Sequence, residues 1–276
     1  MNRILESVKH RNIGLDVTRI LAYMTVLSVH FFMNSEFYTT PLKDWRMSIM
    51  GAMRTLCMVC VPLFMLLTGY LSAGKRVEIS KKGLLQYYAR LLPILLTYVL
   101  TDVLILLTKH FCLGESITWQ DCFWNVLNYQ QYSWYINMYL GLALLIPFLN
   151  VLWHGLDSKQ EQKMLVLVLM AVTMAPTLLD AAVKLVPDWW TCIYPITYYY
   201  IGAYLKKNVE IPKLSTAKLC GALLISWCAF TALNLYVSRG QNFIWTYWGD
   251  EWGGGTERDR CSSGIPHYQF NPLSAH

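Results

Sequence analysis

Apolar runs long enough to cross a bilayer alternate along this chain with short polar segments. A spanning helix needs about 20 mostly apolar residues. Seven stretches are expected to span, roughly 14–33, 47–72, 88–108, 133–153, 164–183, 190–205 and 216–237. The sixth, WTCIYPITYYYIGAYL, is short and rich in aromatic residues. Backbone polar groups cannot stand bare in lipid, so every span is expected to be helical. The expected fold class is therefore all-α, a polytopic transmembrane helix bundle. Segment 119–131, WQDCFWNVLNYQQ, mixes aromatic and polar residues and predicts an interfacial helix lying along the membrane. Hydrophobic periodicity stops after Tyr247, where WGDEWGGGTERDRCSSGIPHYQFNPLSAH follows.

Composition agrees with the pattern. Of the 276 residues, 55% are hydrophobic and 14% charged, against about 25% charged in soluble domains. Mean hydropathy is +0.33. The eight cysteines include Cys57 and Cys60 as a CxxC on an expected membrane helix. With no second such pair, that motif reads as buried small hydrophobes. Cys112 and Cys122 share one loop and would be able to pair on an oxidising side. The basic start MNRILESVKHRN runs straight into the first apolar stretch without a small-residue cleavage site, so it reads as a retained signal anchor.

Net charge is +6, and its placement decides what that charge means. Arg3, Lys9 and Arg11 precede the first span. Lys75, Arg76, Lys81 and Lys82 follow the second, Lys159 and Lys163 the fourth, and Lys206, Lys207, Lys213 and Lys218 the sixth. The alternate loops hold fewer, namely Lys43, Arg46, Lys109, Lys184 and Arg239. The positive-inside rule then sets the N-terminus on the cytoplasmic side. The basic excess is a topology signal facing anionic headgroups, and a nucleic-acid partner is excluded.

The first span, LDVTRILAYMTVLSVHFF, carries Asp16, Arg19 and His30. At 3.6 residues per turn, Arg19 and His30 fall within about 20° of one face, and Asp16 within about 40° of His30. The stripe covers roughly 20 Å along the axis. Asp16 and Arg19 alone would read as interfacial residues reaching for headgroups. A histidine at depth on the same face points instead to a cavity or polar path. Histidine suits general-base work near neutral pH, and arginine suits a phosphate or a developing oxyanion. Arg54 and Asp102 also lie in spans, in their outer halves, and Arg90 lies near the cytoplasmic start of the third. Asp102 has Arg54 and His30 as alternative partners. Asp180 and Lys184 read as a surface pair at i,i+4. No P-loop, HExxH, GxSxG or Rossmann GxGxxG occurs in the sequence, and the GGG at 253–255 is low complexity.

These residues resemble the membrane acyltransferase-3 family, bacterial integral membrane O-acyltransferases. GLDVTRILAYMTVLSVHFF is similar to that family's first-helix signature, with its arginine at Arg19 and its histidine at His30. VPLFMLLTGYLS at 61–72 resembles its second-helix motif, with Thr68-Gly69-Tyr70 in place of Ser-Gly-Tyr. YYARLLPILL places Arg90 on the usual arginine, while SWYINMYLGLALLIPFLN at 133–150 and YPITYYYIGAYLKK at 194–207 resemble later helices. Coverage runs over about residues 10–240.

The resemblance implies acyl transfer, acetyl above all, from cytoplasmic acyl-CoA to a hydroxyl of a lipid-linked or cell-surface glycan. It implies a bacterial cytoplasmic membrane, with the bilayer, acyl-CoA and the glycan as partners and no permanently bound cofactor. Carried over, His30 is the base, with Arg19 and Asp16 beside it. Arg90, Arg19, Lys81 and Lys82 hold the donor. Trp134, Tyr135, Asp102 and Arg54 face the acceptor; an aromatic membrane anchor is the plainer reading of Trp134 and Tyr135. Two departures stand out. Gln86 and Tyr87 occupy positions where members often carry a second arginine. The family usually has about ten membrane helices against the seven expected here, so a chain shortened at its C-terminus is expected, with 1–240 as the acyltransferase-like domain and 248–276 as a polar tail, either native or out of frame. Two other functions compete: a transporter or flippase of a glycan or small solute, whose helices Pro62, Pro93, Pro147, Pro176 and Pro195 would interrupt, and a non-catalytic membrane protein.

Overall fold

A computed structural model describes residues 12–114, 116–118, 120, 134–174, 188–210, 215–238 and 242–243. Its elements are helical: α1 (Ile13–Met33), α2 (Trp45–Cys57), α3 (Cys60–Ser72), α4 (Lys81–Tyr88), α5 (Leu92–Leu113), α6 (Trp134–Gly155), α7 (Lys159–Thr173), α8 (Tyr194–Asn208) and α9 (Thr216–Val237). Among the described residues, five stretches are long and apolar enough to cross a membrane: Ile13–Met33, Trp45–Ser72, Lys81–Leu113, Tyr135–Gly155 and Thr216–Tyr236. The chain is thus an all-α, multi-pass membrane protein. The fifth expected span runs past α7 into residues outside the described set, as do segment 119–131, the Asp180–Lys184 pair, Cys122, Pro176 and the 248–276 tail. The sixth is only the 15-residue α8.

Proline explains where helices break. Its ring displaces the carbonyl four residues back and supplies no N–H. Pro62 therefore acts on Met58, and the expected second span divides into α2 and α3 at residues 58–59. Pro93 acts on Ala89, where a 3-10 turn, Ala89–Leu91, separates α4 from α5. Pro195 sits in the first turn of α8 behind the 3-10 segment Asp188–Ile193. These three prolines start helices. Pro147 lies inside α6 and removes the usual donor to the Ala143 carbonyl. The Tyr87 hydroxyl donates to that oxygen at 3.1 Å, and Tyr88 donates to the Leu144 carbonyl at 3.0 Å. Tyr87 thus repairs a backbone defect. Tyr87→Phe should lower stability in detergent by about 1 kcal/mol. The loss should shrink in a Pro147→Ala background, and an equal loss in both backgrounds would refute the repair.

The chain forms two compact units. The first contains α1, α2 and α9. Helix α1 starts at Asn12, whose side chain accepts from the Leu15 amide at 3.4 Å, and ends at Asn34, which donates to the His30 carbonyl. Phe32, Phe37, Cys57 and Phe243 form a core with Val29, Tyr38, Leu42, Met47 and Met50 against it. Helix α9 is tied to α2 by Trp227 Nε1 donating to the Ala52 carbonyl at 2.9 Å and by Asn234 donating to Thr55 Oγ1 at 3.1 Å. Leu21, Met24, Leu27 and Phe31 on α1, and Leu223, Leu224 and Ile225 on α9, face outward, as lipid-facing side chains do.

The second unit contains α4, α5 and α6 with nearly all of α3 and α8. Helices α3 and α8 cross at glycines. A β-carbon on Gly69 would overlap the Tyr199 carbonyl, and one on Gly202 would overlap the Leu66 carbonyl and lie 2.8 Å from the Tyr70 nitrogen. Small residues let helix backbones approach where no hydrophobic effect drives association. A buried polar clasp holds the neighbouring ends. Asn150 donates to the Ser72 carbonyl at 3.0 Å and the Lys75 carbonyl at 2.8 Å, and accepts from the Tyr199 hydroxyl at 2.6 Å. Tyr200 donates to the Leu149 carbonyl at 2.9 Å and stacks on Trp153. Helix α5 ends at Gly114, whose φ of 69° gives the left-handed cap glycine favours.

Candidate active site

The described site residues fall in both units. In the first, Arg19 Nη1 donates to Asp16 Oδ1 at 2.7 Å as an i,i+3 ion pair. The pair is expected from the spacing, and it fixes one edge of the guanidinium. The Arg19 side chain remains 48% exposed, so the other edge is open to a ligand.

His30 stands on the same side of α1, eleven residues and about 16 Å further along. Its Nδ1 lies 2.9 Å from the Val26 carbonyl. A carbonyl only accepts, so Nδ1 carries the proton of the neutral ring. With the proton on Nδ1, the lone pair lies on Nε2 of an exposed side chain, where a general base needs it. The bond is local to the helix, between residues four apart, and needs no neighbouring element.

Arg54 is 2% exposed. Its Nε donates to the Tyr38 hydroxyl, and its guanidinium carbon lies 5.7 Å from the centre of that ring. Tyr38 and Arg54 thereby tie the turn after α1 to α2, beside the Phe32–Phe37 core. This buried arginine braces the segment that follows His30.

In the second unit, Arg90 is exposed on the 3-10 turn between α4 and α5. Lys81 and Lys82 open α4, where Ser80 Oγ accepts from the Gly83 amide at 3.1 Å. Two lysines at the positive end of a helix dipole raise the local potential without offsetting it, a setting that favours anions. Asp102 is 8% exposed, and its Oδ2 is buried without a hydrogen-bond partner among the described residues. The Tyr135 ring packs 5.6 Å from Phe64 and 6.4 Å from Tyr139, centre to centre. Trp134 opens α6, but its side chain lies outside the described set.

Sequence reasoning missed Asn150 and Tyr199. A signal was present: Asn150 interrupts the apolar run LIPFLNVLW, and an uncharged polar residue at that depth needs partners as much as a charged one does. Among the described residues, no group of three or more His, Cys, Asp or Glu side chains is arranged to hold a metal ion.

These features define a multi-pass helical membrane protein with a histidine–arginine stripe on its first helix. The chain belongs to the acyltransferase-3 family: the family's model, an acyltransferase domain, matches residues 12–253. Searches of curated proteins and of solved structures return no match.

Proposed function

We propose that this membrane acyltransferase takes an acyl group, acetyl by preference, from acyl-CoA on the cytoplasmic side and passes it to a hydroxyl of a lipid-linked or cell-surface glycan. The observation that carries the reading is the His30 ring, whose Nδ1 is held by Val26 and whose Nε2 carries the lone pair, on one stripe with an arginine oriented by Asp16. The acceptor hydroxyl gives its proton to Nε2 as its oxygen attacks the thioester carbonyl. The carbon–sulfur bond then breaks, and the coenzyme A thiolate leaves and is protonated. Arg19 binds the donor or the developing oxyanion, and Asp16 holds it in register. Arg90, Lys81 and Lys82 add positive charge for the donor's phosphates. Tyr135, Trp134, Asp102 and Arg54 serve the acceptor side, Arg54 through its support of Tyr38.

The placement of lysine and arginine supports an orientation with the N-terminus inside, and the family resemblance is what suggests a bacterial cytoplasmic membrane. Donor chemistry then starts at the Arg19 end of α1, and the histidine lies further out.

Arg19→Ala should lower kcat/KM for acetyl-CoA by about 10²–10³-fold, the usual loss for a charge-stabilising donor. Asp16→Asn should act in the same direction more weakly, because the guanidinium loses its orientation and keeps its charge. Steady-state transfer of labelled acetyl groups by the detergent-purified protein measures both. Wild-type kinetics in Arg19→Ala would remove Arg19 from the site.

A further inference from the structure

The ends of α3, α6 and α8 in the second unit gather positive charge that the acyl-transfer stripe does not use. Arg76 and Lys207 lie near enough to His154 for their charges to act on it. His154 Nε2 is buried and has no hydrogen-bond partner among the described residues. The Lys207 ammonium lies 6.0 Å from the centre of the Trp153 ring, and that of Lys206 lies 5.8 Å from the Tyr70 ring. Lys206 Nζ is also 3.6 Å from where a β-carbon of Gly74 would stand.

Positive-inside bias explains why these residues stand on this side but not why they converge at one helix junction; capping of helix C-termini is the other ordinary explanation. Lys159 does this, donating to the Asn208 carbonyl at 3.2 Å. Arg76, Lys206 and Lys207 do not. Among the described residues they bond to no carbonyl and pair with no carboxylate. One acidic side chain on the adjoining helix start, Glu161, is engaged elsewhere, accepting from the Ser158 amide at 3.0 Å. That bond holds its carboxyl below the usual range.

The cluster also sits on a firm base. Asn150 fixes the Ser72 and Lys75 carbonyls immediately before Arg76. Asn208 donates to Gln162 Oε1 at 2.8 Å just beyond Lys207. The Trp153–Tyr200 stack lies between. Each ammonium stands within reach of an aromatic face, which attracts it and leaves its N–H groups able to donate. Like charges gathered at one end of a helix bundle lower their energy by taking up an anion.

We propose that Arg76 and Lys207 beside His154, with Lys206 over Tyr70, form a phosphate-binding site at the common end of α3, α6 and α8. The ligand is a phosphate carried by a nucleotide in solution or by an anionic lipid headgroup. This deepens the donor reading above and rests on it only for the nucleotide source.

Two arms with the full-length protein separate the sources. Adenosine 3′,5′-bisphosphate is titrated into detergent-purified protein, and retention of phosphatidylglycerol over phosphatidylcholine is measured by mass spectrometry after nanodisc extraction. Arg76→Gln/Lys207→Gln should weaken nucleotide binding about tenfold or more, or abolish selective lipid retention. The charge-keeping Arg76→Lys/Lys207→Arg variant should preserve whichever is observed. Lys163→Gln/Lys218→Gln, which removes equal charge elsewhere, should leave it unchanged. Wild-type behaviour of the Gln double variant in both arms overturns the site, as does an equal loss in the Lys163/Lys218 control. Because the readout is binding, loss of transfer in His30→Ala does not mimic either result.

Discussion

His30→Ala should abolish acyl transfer while donor binding survives. General-base catalysis contributes about 10²–10⁴-fold, so kcat should fall by at least two orders of magnitude with little change in donor affinity. His30→Gln should be almost as slow, because its amide nitrogen bears no lone pair that takes a proton at neutral pH. The local geometry makes the prediction sharp. The Val26 carbonyl holds the Nδ1 proton, so only Nε2 accepts one. Rate in His30→Ala should stay low at every pH. Wild-type turnover in that variant would end the assignment.

Gly202→Leu should prevent stable folding, or lower the thermal midpoint in detergent sharply. The new side chain would meet the Leu66 carbonyl and the Tyr70 nitrogen, which are backbone atoms. Overpacking commonly costs about 1–3 kcal/mol and occasionally more; backbone cannot swing aside as a side-chain tip does, so this case belongs at the upper end. Gly202→Ala should act in the same direction with a smaller loss. Gly141→Ala is the matched control, since among the described residues nothing approaches its β-position within 4 Å. Equal stability of Gly202→Leu and Gly141→Ala would refute the close crossing of α3 and α8.

Much of the architecture was legible because membrane helices announce themselves by length and apolarity. Five expected spans correspond to stretches long and apolar enough to cross. Helix breaks were also written in the sequence, at prolines read there as interrupting helices. Pro62 and Pro93 each point four residues back, to the interruption after Cys57 and to the turn that carries Arg90. The Asp16–Arg19 pair followed from i,i+3 spacing alone, since both residues share one helix. What spacing did not supply was any contact between elements far apart in the chain. Tyr87 meeting the carbonyl freed by Pro147, and Asn150 meeting Tyr199, require the folded second unit. Gly69 and Gly202 were recognised as parts of motifs, and the structure adds their reason: each admits another helix's backbone. The His30 tautomer depends on a rotamer, which sequence does not encode directly.

The most direct measurement gives purified, reconstituted protein an acyl-CoA labelled in its acyl group together with a hydroxyl-bearing glycan acceptor. Label should appear as an ester on the acceptor, with one coenzyme A thiol released per ester formed, and both signals should vanish in His30→Ala. Label reaching the acceptor at the wild-type rate in His30→Ala, or an acyl-CoA left intact by protein that moves the glycan across the vesicle membrane, would contradict acyl transfer through His30.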